Sequence, residues 1–548
     1  MRSVCLCVIV GFVDDKGKMQ QRVIKLGLYN EAPEEKLTNQ MSDHILHEIS
    51  EVLEAPPKSL KVFTRDGVYL NELCMLKLTG GLLINPNTNK EVLMRGIYPE
   101  AVNIKCMSHT LDNCGADYTV GGIKHNRIEG PAAKMIYNQI NGLFSSPGES
   151  VKLSWKNYAG TAMPSVSQTR WWSREEFWAY LLPYFKFDEE MIREEWFDNW
   201  IQERVESLRS GKKSVGALLM KLESTFVPGT RGYDIEFLVK AFIEIAVVVD
   251  ITEKVRQATY VIEGDGPIAV MVMEVLDSVA RYYKSTYQEM EFSNVRRYIA
   301  QAVRLNVAPP GYVLPAIILD EFATGPRLPE DIQPILDEQH IQDEQLLQDA
   351  LPPQDIQDNL PVSPARAANP DAGANDVVAW ELDLAWKEYC LKLSEPYMTY
   401  FNEMVMGHNC LPLWRAASMA DPLNMQRQTL TAGDLRVRIQ PLIGNLVPRP
   451  LVDRMVAELS EYERACSNLD WSNETYARRL LNVEEFWSKH KLLPAWTEFA
   501  HLVFLLQPTS ACVERSFSML KYIMGDQQTR SLRDKIEASL MLRYNRGS

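Results

Sequence analysis

Residues 506–521 read LQPTSACVERSFSMLK. Pro508, Thr509 and Ser510 form a helix-start signal, because a hydroxyl there can accept a backbone N–H that the first turn leaves unpaired. Val513, Phe517, Leu520 and Met524 then recur at helical spacing on one face. Glu514 and Arg515 fall in the first turn. A carboxylate is favoured there by the helix dipole whether or not it has a further task. Taken alone, the stretch is an amphipathic helix with a solvated charge.

The flanks extend the pattern. Glu485-Phe486-Trp487 and Leu493-Pro494 lead into an apolar helix upstream, and Arg530-Ser531-Leu532 leads into a second amphipathic helix carrying Ile536 and Leu540. At the other end of the chain, residues 3–13 read as a strand, Asp14 to Gly17 as a turn, and 21–29 as the returning strand. Leu37, Met41, Ile45, Ile49 and Val52 mark a helix over 35–54. Short strands follow over 59–64 and 103–106, with helices to Leu78 and over 130–144. This is an α/β pattern. From about 172 to 322 the signal is almost wholly helical, and it is helical again from Val377 onward.

Bulk composition fits several domains. The chain has 548 residues, too many for one core. It carries a net charge of −14, which at first argues against a polynucleotide partner. The distribution weakens that objection. Residues 326–376 hold eleven acidic and two basic residues, so they carry −9 and leave −5 for the rest. The same segment has eight prolines and reads as a disordered linker or loop. Any nucleic-acid face is then a local basic patch. Nine cysteines occur without a CxxC pair, which points away from disulfides and from a zinc cluster. No run of about 18 apolar residues predicts a membrane span. The apolar start ends in Asp14-Asp15 without a small-residue cleavage site, and suits a strand better than a signal peptide.

The block PTSACVERSFSML, with its lead-in and the following helix, resembles the C-terminal signature of hAT-superfamily DNA transposases. The likeness continues upstream. Phe63-Thr64-Arg65-Asp66-Gly67 resembles the strand end that bears the family's second catalytic Asp. Cys106-Met-Ser-His109-Thr-Leu-Asp-Asn resembles its CxxH-TLN block, and Thr169-Arg170-Trp171-Trp172-Ser173 its TRWNS motif. The motifs stand in family order. Read as plain local structure, Arg65-Asp66-Gly67 is a turn and Trp171 a core residue.

The resemblance implies an α/β plus all-α architecture: an RNase H-like catalytic core, a large helical insertion domain and a C-terminal helical dimerisation segment. The expected boundaries are 1–172 for the first part of the core, 173–325 and 377–480 for the insertion, 326–376 for the linker and 481–548 for the dimerisation region. It further implies Asp66 and Glu514 as catalytic carboxylates holding Mg²⁺ or Mn²⁺, with His109, Arg170, Trp171 and Arg515 on the DNA side. Trp171 would stack on an unpaired base. Phe517, Leu520, Ile536 and Leu540 would bury a homodimer interface. Cys106 and His109 are two of the four ligands a structural zinc needs, so no zinc site is expected. Transposon DNA and a second copy of the chain are the implied partners, a membrane is not, and the nucleus, otherwise the cytoplasm, is the implied location.

The family's first catalytic Asp lies on a central strand just ahead of the hairpin, a place that here precedes Met1. An N-terminally truncated enzyme with impaired cleavage is the expectation, because a two-metal site lacks a carboxylate. The alternative is a non-catalytic, domesticated dimeric factor that binds DNA or protein.

Overall fold

The computed structural model describes residues 3–30, 34–49, 60–66, 69–84, 91–115, 118–120, 123–125, 129–144, 148–164, 172–185, 196–312, 374–471 and 473–516. The chain is mostly helical with a few small sheets. It divides into two compact units. Unit 1 comprises Met1–Leu111, Gln257–Ser278 and Phe401–Ser548, and unit 2 comprises Asp112–Arg256 and Val279–Tyr400. The expected linker, 326–376, lies almost wholly outside the described residues.

Unit 1 opens with the hairpin β1 (Ser3–Val13) and β2 (Met19–Asn30), paired antiparallel with a bulge at Val8/Ile9. Its turn is built by Asp14, whose carboxylate accepts the backbone N–H groups of Lys16 and Lys18 at 3.0 and 2.9 Å. Gly17 supplies the left-handed residue at φ +77°. Helix α1 (Glu34–His47) follows, then β3 (Val62–Arg65) and α2 (Tyr69–Thr79). A short hairpin, β4 (Gly81–Ile84) with β5 (Glu91–Met94), precedes β6 (Val102–Lys105) and α3 (Met107–Asp112). Leu37, Met41 and Ile45 of α1 pack with Ile49 against Cys74 and Leu78 of α2 and against Tyr98 and Ala101, with Val8 and Phe63 at the edge.

β3 and β6 pair in parallel from Val62↔Val102 to Arg65↔Lys105. Among the described residues every sheet has two strands, and β1–β2 shares no ladder with β3–β6. The core is expected to lack its first, central strand, and among the described residues no strand joins the hairpin to the parallel pair. The sequence pattern also missed β4–β5. At its open end, Gly80 and Gly96 meet backbone to backbone: a Cβ on Gly96 would lie 2.1 Å from the Gly80 nitrogen.

The remaining helices of unit 1 share an aromatic core. Tyr462 lies 4.3 Å from the Trp496 ring and 5.1 Å from that of Trp487. The polar tips find backbone acceptors: Trp487 donates to Ala420 O, Trp496 to Met455 O and Tyr462 to Met419 O. Beside them sits a buried ion cluster. Arg479, 4% exposed, donates to Asp421, which is fully buried, and lies 2.7 Å from Glu274. Asp421 in turn caps helix Pro422–Gln426 by accepting the Leu423 N–H at 3.0 Å.

Unit 2 is a helical body with a dense aromatic interior. Phe144, Trp155, Phe197 and Trp200 are all buried, with Trp155 and Trp200 at 5.1 Å and nearly perpendicular. Two buried carboxylates of helix Ile235–Ile262 cap neighbouring helices. Glu244 accepts the Ala133 N–H at 2.8 Å and the Tyr389 hydroxyl at 2.6 Å. Asp250 accepts the Val295 N–H at 2.9 Å and the Asn294 amide at 2.6 Å. No helix of the described residues is long and apolar enough to cross a membrane.

The Asp421–Arg479–Glu274 cluster yields a direct stability test. Removing the cation leaves a fully buried carboxylate unpaired, which costs about 3–5 kcal/mol. Arg479→Met is expected to lower the unfolding free energy by that amount, read as a lower denaturation midpoint. An unchanged midpoint would show that Asp421 finds another partner.

Candidate functional site

β3 and β6 run side by side in the same direction, so both release the chain at the same edge. Asp66 leaves β3 there and Cys106 leaves β6. In parallel sheets, this carboxyl edge is where exposed side chains are held on rigid backbone and where ligands bind. Residues 507–510 lie directly against it. Thr64 Oγ1 donates to Gln507 O at 2.9 Å, and the Met107 N–H donates to Pro508 O at 2.7 Å. The Ser510 N–H donates to Cys106 Sγ at 3.2 Å, and Ser108 Oγ donates to Thr509 Oγ1 at 3.1 Å.

This docking aims a helix at the strand ends. Thr509 Oγ1 accepts the Ala511 N–H at 3.0 Å, as the helix-start signal predicts. Residues 511–516 are helical, and Glu514 stands on their inner side. Its Oε1 lies 3.7 Å from Nε2 of His109, which belongs to α3. Asp66, held by Asn71 Nδ2 at 2.6 Å, is close enough to act electrostatically on both.

The charges are interdependent. Burial opposes a charge on His109, but the hydrogen-bonded Cys106 and the carboxylates of Asp66 and Glu514 outweigh it and lift the imidazole to about 9. Burial raises Glu514, Asp66 raises it further, and His109 pulls it back. Burial works against ionisation of Cys106, yet bonding to His109 and to the Ser510 N–H brings its thiol below the ordinary value. Chemically this is a cation held between two carboxylates and a polarised thiol.

Other expected site residues fall differently. Arg515 donates to Glu263 O at 3.0 Å and to Asp265 at 2.6 Å, so an incoming phosphate competes with that carboxylate. Arg170 and Trp171 lie outside the described residues, as do Phe517, Leu520, Ile536 and Leu540. The neighbouring Trp172 is described: it is 2% exposed at φ +55° and packs as a core residue of unit 2. Cys106 acts electrostatically on His109, and among the described residues no group of three or more His, Cys, Asp or Glu side chains has metal-holding geometry. Sequence reasoning treated Cys106 as part of a motif and missed that its sulfur anchors Ser510. No local signal reveals a contact between positions 404 apart.

Neither the protein-family models nor the curated proteins provide a match to this chain.

The His109 charge can be read directly. Its folded value of about 9 lies above the ordinary histidine value near 6.5. The stability it contributes is thus full below pH 6.5 and lost as pH rises through about 9. A proton NMR titration of the His109 ring is expected to show that elevated midpoint, and Glu514→Gln to lower it. A midpoint near 6.5 in both proteins would mean that the carboxylates do not reach the ring.

Proposed function

We propose that this chain is a hAT-like transposase or a protein derived from one, with its C-terminal region serving dimerisation and its acidic edge serving polynucleotide phosphates. One observation carries the reading. Asp66, His109 and Glu514, picked from three motifs spread along the sequence, meet at the carboxyl edge of one parallel strand pair. The RNase H-like core is part of this proposal. A hairpin followed by a parallel strand pair, in that chain order, is what supports it.

The donor set fits a hard divalent cation in kind, since Asp66 and Glu514 offer carboxylate oxygens on rigid elements. Burial raises Glu514 and repulsion from Asp66 adds to it, and such an ion relieves that repulsion. A bound Mg²⁺ or Mn²⁺ would supply Lewis-acid charge for in-line phosphoryl transfer. The protein's own part is orientation. Asn71 fixes Asp66, the docked loop 507–510 fixes Glu514, and His109 holds a proton between the carboxylates.

The same features favour weak catalysis. Two carboxylates take part where the family uses three, and a protonated His109 already neutralises part of their charge. The second reading, a non-catalytic dimeric DNA- or protein-binding factor, draws on that balance. Both readings include a second copy of the chain as partner; the first adds DNA in the nucleus, the second DNA or protein.

The test uses the full chain. Light scattering is expected to give a dimer that Leu520→Asp converts to monomer. DNA binding is expected by gel shift, with little strand cleavage in Mg²⁺. Robust Mg²⁺-dependent cleavage that is abolished by Asp66→Asn and by Glu514→Gln would establish the enzyme and remove the impaired reading. A monomer that binds no DNA would overturn the family assignment altogether.

A further inference from the structure

A second polar concavity in unit 1 lies apart from Asp66 and Glu514. It has a volume of about 470 Å³, and its lining includes Arg65, Asn103, Lys105 and His408 together with Glu72 and Glu403. Arg65 and Lys105 are direct register partners across β3 and β6, so their side chains leave the pair on one face. Asn103, two residues before Lys105, shares that face. His408 reaches the same space from the turn after the π-helical residues Phe401–Val405.

Three inner polar atoms lack hydrogen-bond partners among the described residues. Arg65 and His408 are each 8% exposed. Nε of Arg65, Oδ1 of Asn103 and Nε2 of His408 are buried without a hydrogen-bond partner among the described residues. Buried polar groups of this kind are normally satisfied, by protein, water or ligand.

Their polarity is fixed by what surrounds them. Nδ1 of His408 accepts the Cys410 N–H at 3.2 Å. In a neutral ring the proton then sits on Nε2, which becomes a donor. Burial, with Lys105 and Arg65 nearby, keeps the ring neutral down to about 4. The terminal nitrogens of Arg65 are engaged by Asp66 O and Glu72, leaving Nε–H free to donate. The unpartnered atom of Asn103 is its amide oxygen, an acceptor, so Asn103 is not counted among the donors. Lys105 adds a full positive charge. The two carboxylates sit at the mouth: Glu72 is 42% exposed and bound to Arg65, and Glu403 is exposed. Donors and positive charge therefore line the inner wall.

We propose that this pocket is a phosphate-binding site in which Arg65, Lys105 and His408 donate to the oxygens of one phosphate group. A tetrahedral oxyanion offers acceptors in several directions, which matches donors arriving from two strands and a turn. The inference uses neither Asp66 nor Glu514 and stands whether or not the chain acts on DNA. Inorganic phosphate and a polynucleotide backbone present the same group.

Calorimetric titration of the full chain separates these sources, with inorganic phosphate in one arm and a short single-stranded oligonucleotide in the other, at constant ionic strength. Saturable binding is expected, and Lys105→Ala and His408→Phe are each expected to weaken it about tenfold. Glu403→Gln is expected to tighten it, a response that a merely structural role for the pocket does not produce. Binding of inorganic phosphate with this variant pattern assigns a free phosphate. Binding of the oligonucleotide alone, with the same pattern, assigns a backbone phosphate. If His408→Phe fails to fold, Lys105→Ala at its half-exposed position and Glu403→Gln decide the matter. No binding of either probe, or equal binding by wild type and variants, overturns the proposal.

Discussion

The site rests on one piece of docking: the backbone of residues 507–510 laid against the ends of β3 and β6. The Met107 N–H to Pro508 O bond, the Ser510 N–H to Cys106 Sγ bond and the two threonine contacts act together. Each is an ordinary hydrogen bond, worth about 1 kcal/mol net. Jointly they fix where helix 511–516 begins and which way its first turn faces. The distance from Glu514 to His109 follows from that, and so does the electrostatic reach of Asp66. Because the sulfur of Cys106 is the acceptor here, a valine at this position removes the contact.

The edge then arranges its charges without outside help. Two carboxylates held close repel, and the fold answers with His109, whose ring stays protonated well above neutral pH. An imidazolium is a single, directional charge, unlike a divalent ion. On the opposite face of the same strands the sign is reversed. Arg65 and Lys105 stand as register partners, while Asp66 is the next residue along. The alternation of a strand thus turns one short run, Arg65-Asp66, into two electrostatic environments of opposite sign.

Much of this was legible in the sequence where the determinant is local. The Asp14 to Gly17 turn follows from a carboxylate two residues ahead of the backbone groups it satisfies. The start of the last helix follows from Thr509, whose hydroxyl serves the nearest free N–H. The apolar spacing of Leu37, Met41 and Ile45 predicted α1. What escaped was set by distant partners. The β4–β5 hairpin depends on two glycine backbones meeting. Arg479 carries no local signal, and it is buried beside Asp421, 58 positions away. His408 carries no motif at all, and it becomes interesting only when β3 and β6 turn Arg65 and Lys105 toward it.

The bond between Ser510 and Cys106 also sets a rule for chain length. It closes a loop of about 400 residues, and closure entropy rises only logarithmically with loop size. Halving or doubling the intervening chain changes the cost of bringing the two ends together by about 0.6 kcal/mol. The acidic edge is therefore nearly indifferent to how much protein is inserted between its strands and its final helix. Unit 2 can grow, shrink or acquire new surfaces while the edge persists, provided that the four residues from Gln507 to Ser510 still find their seat.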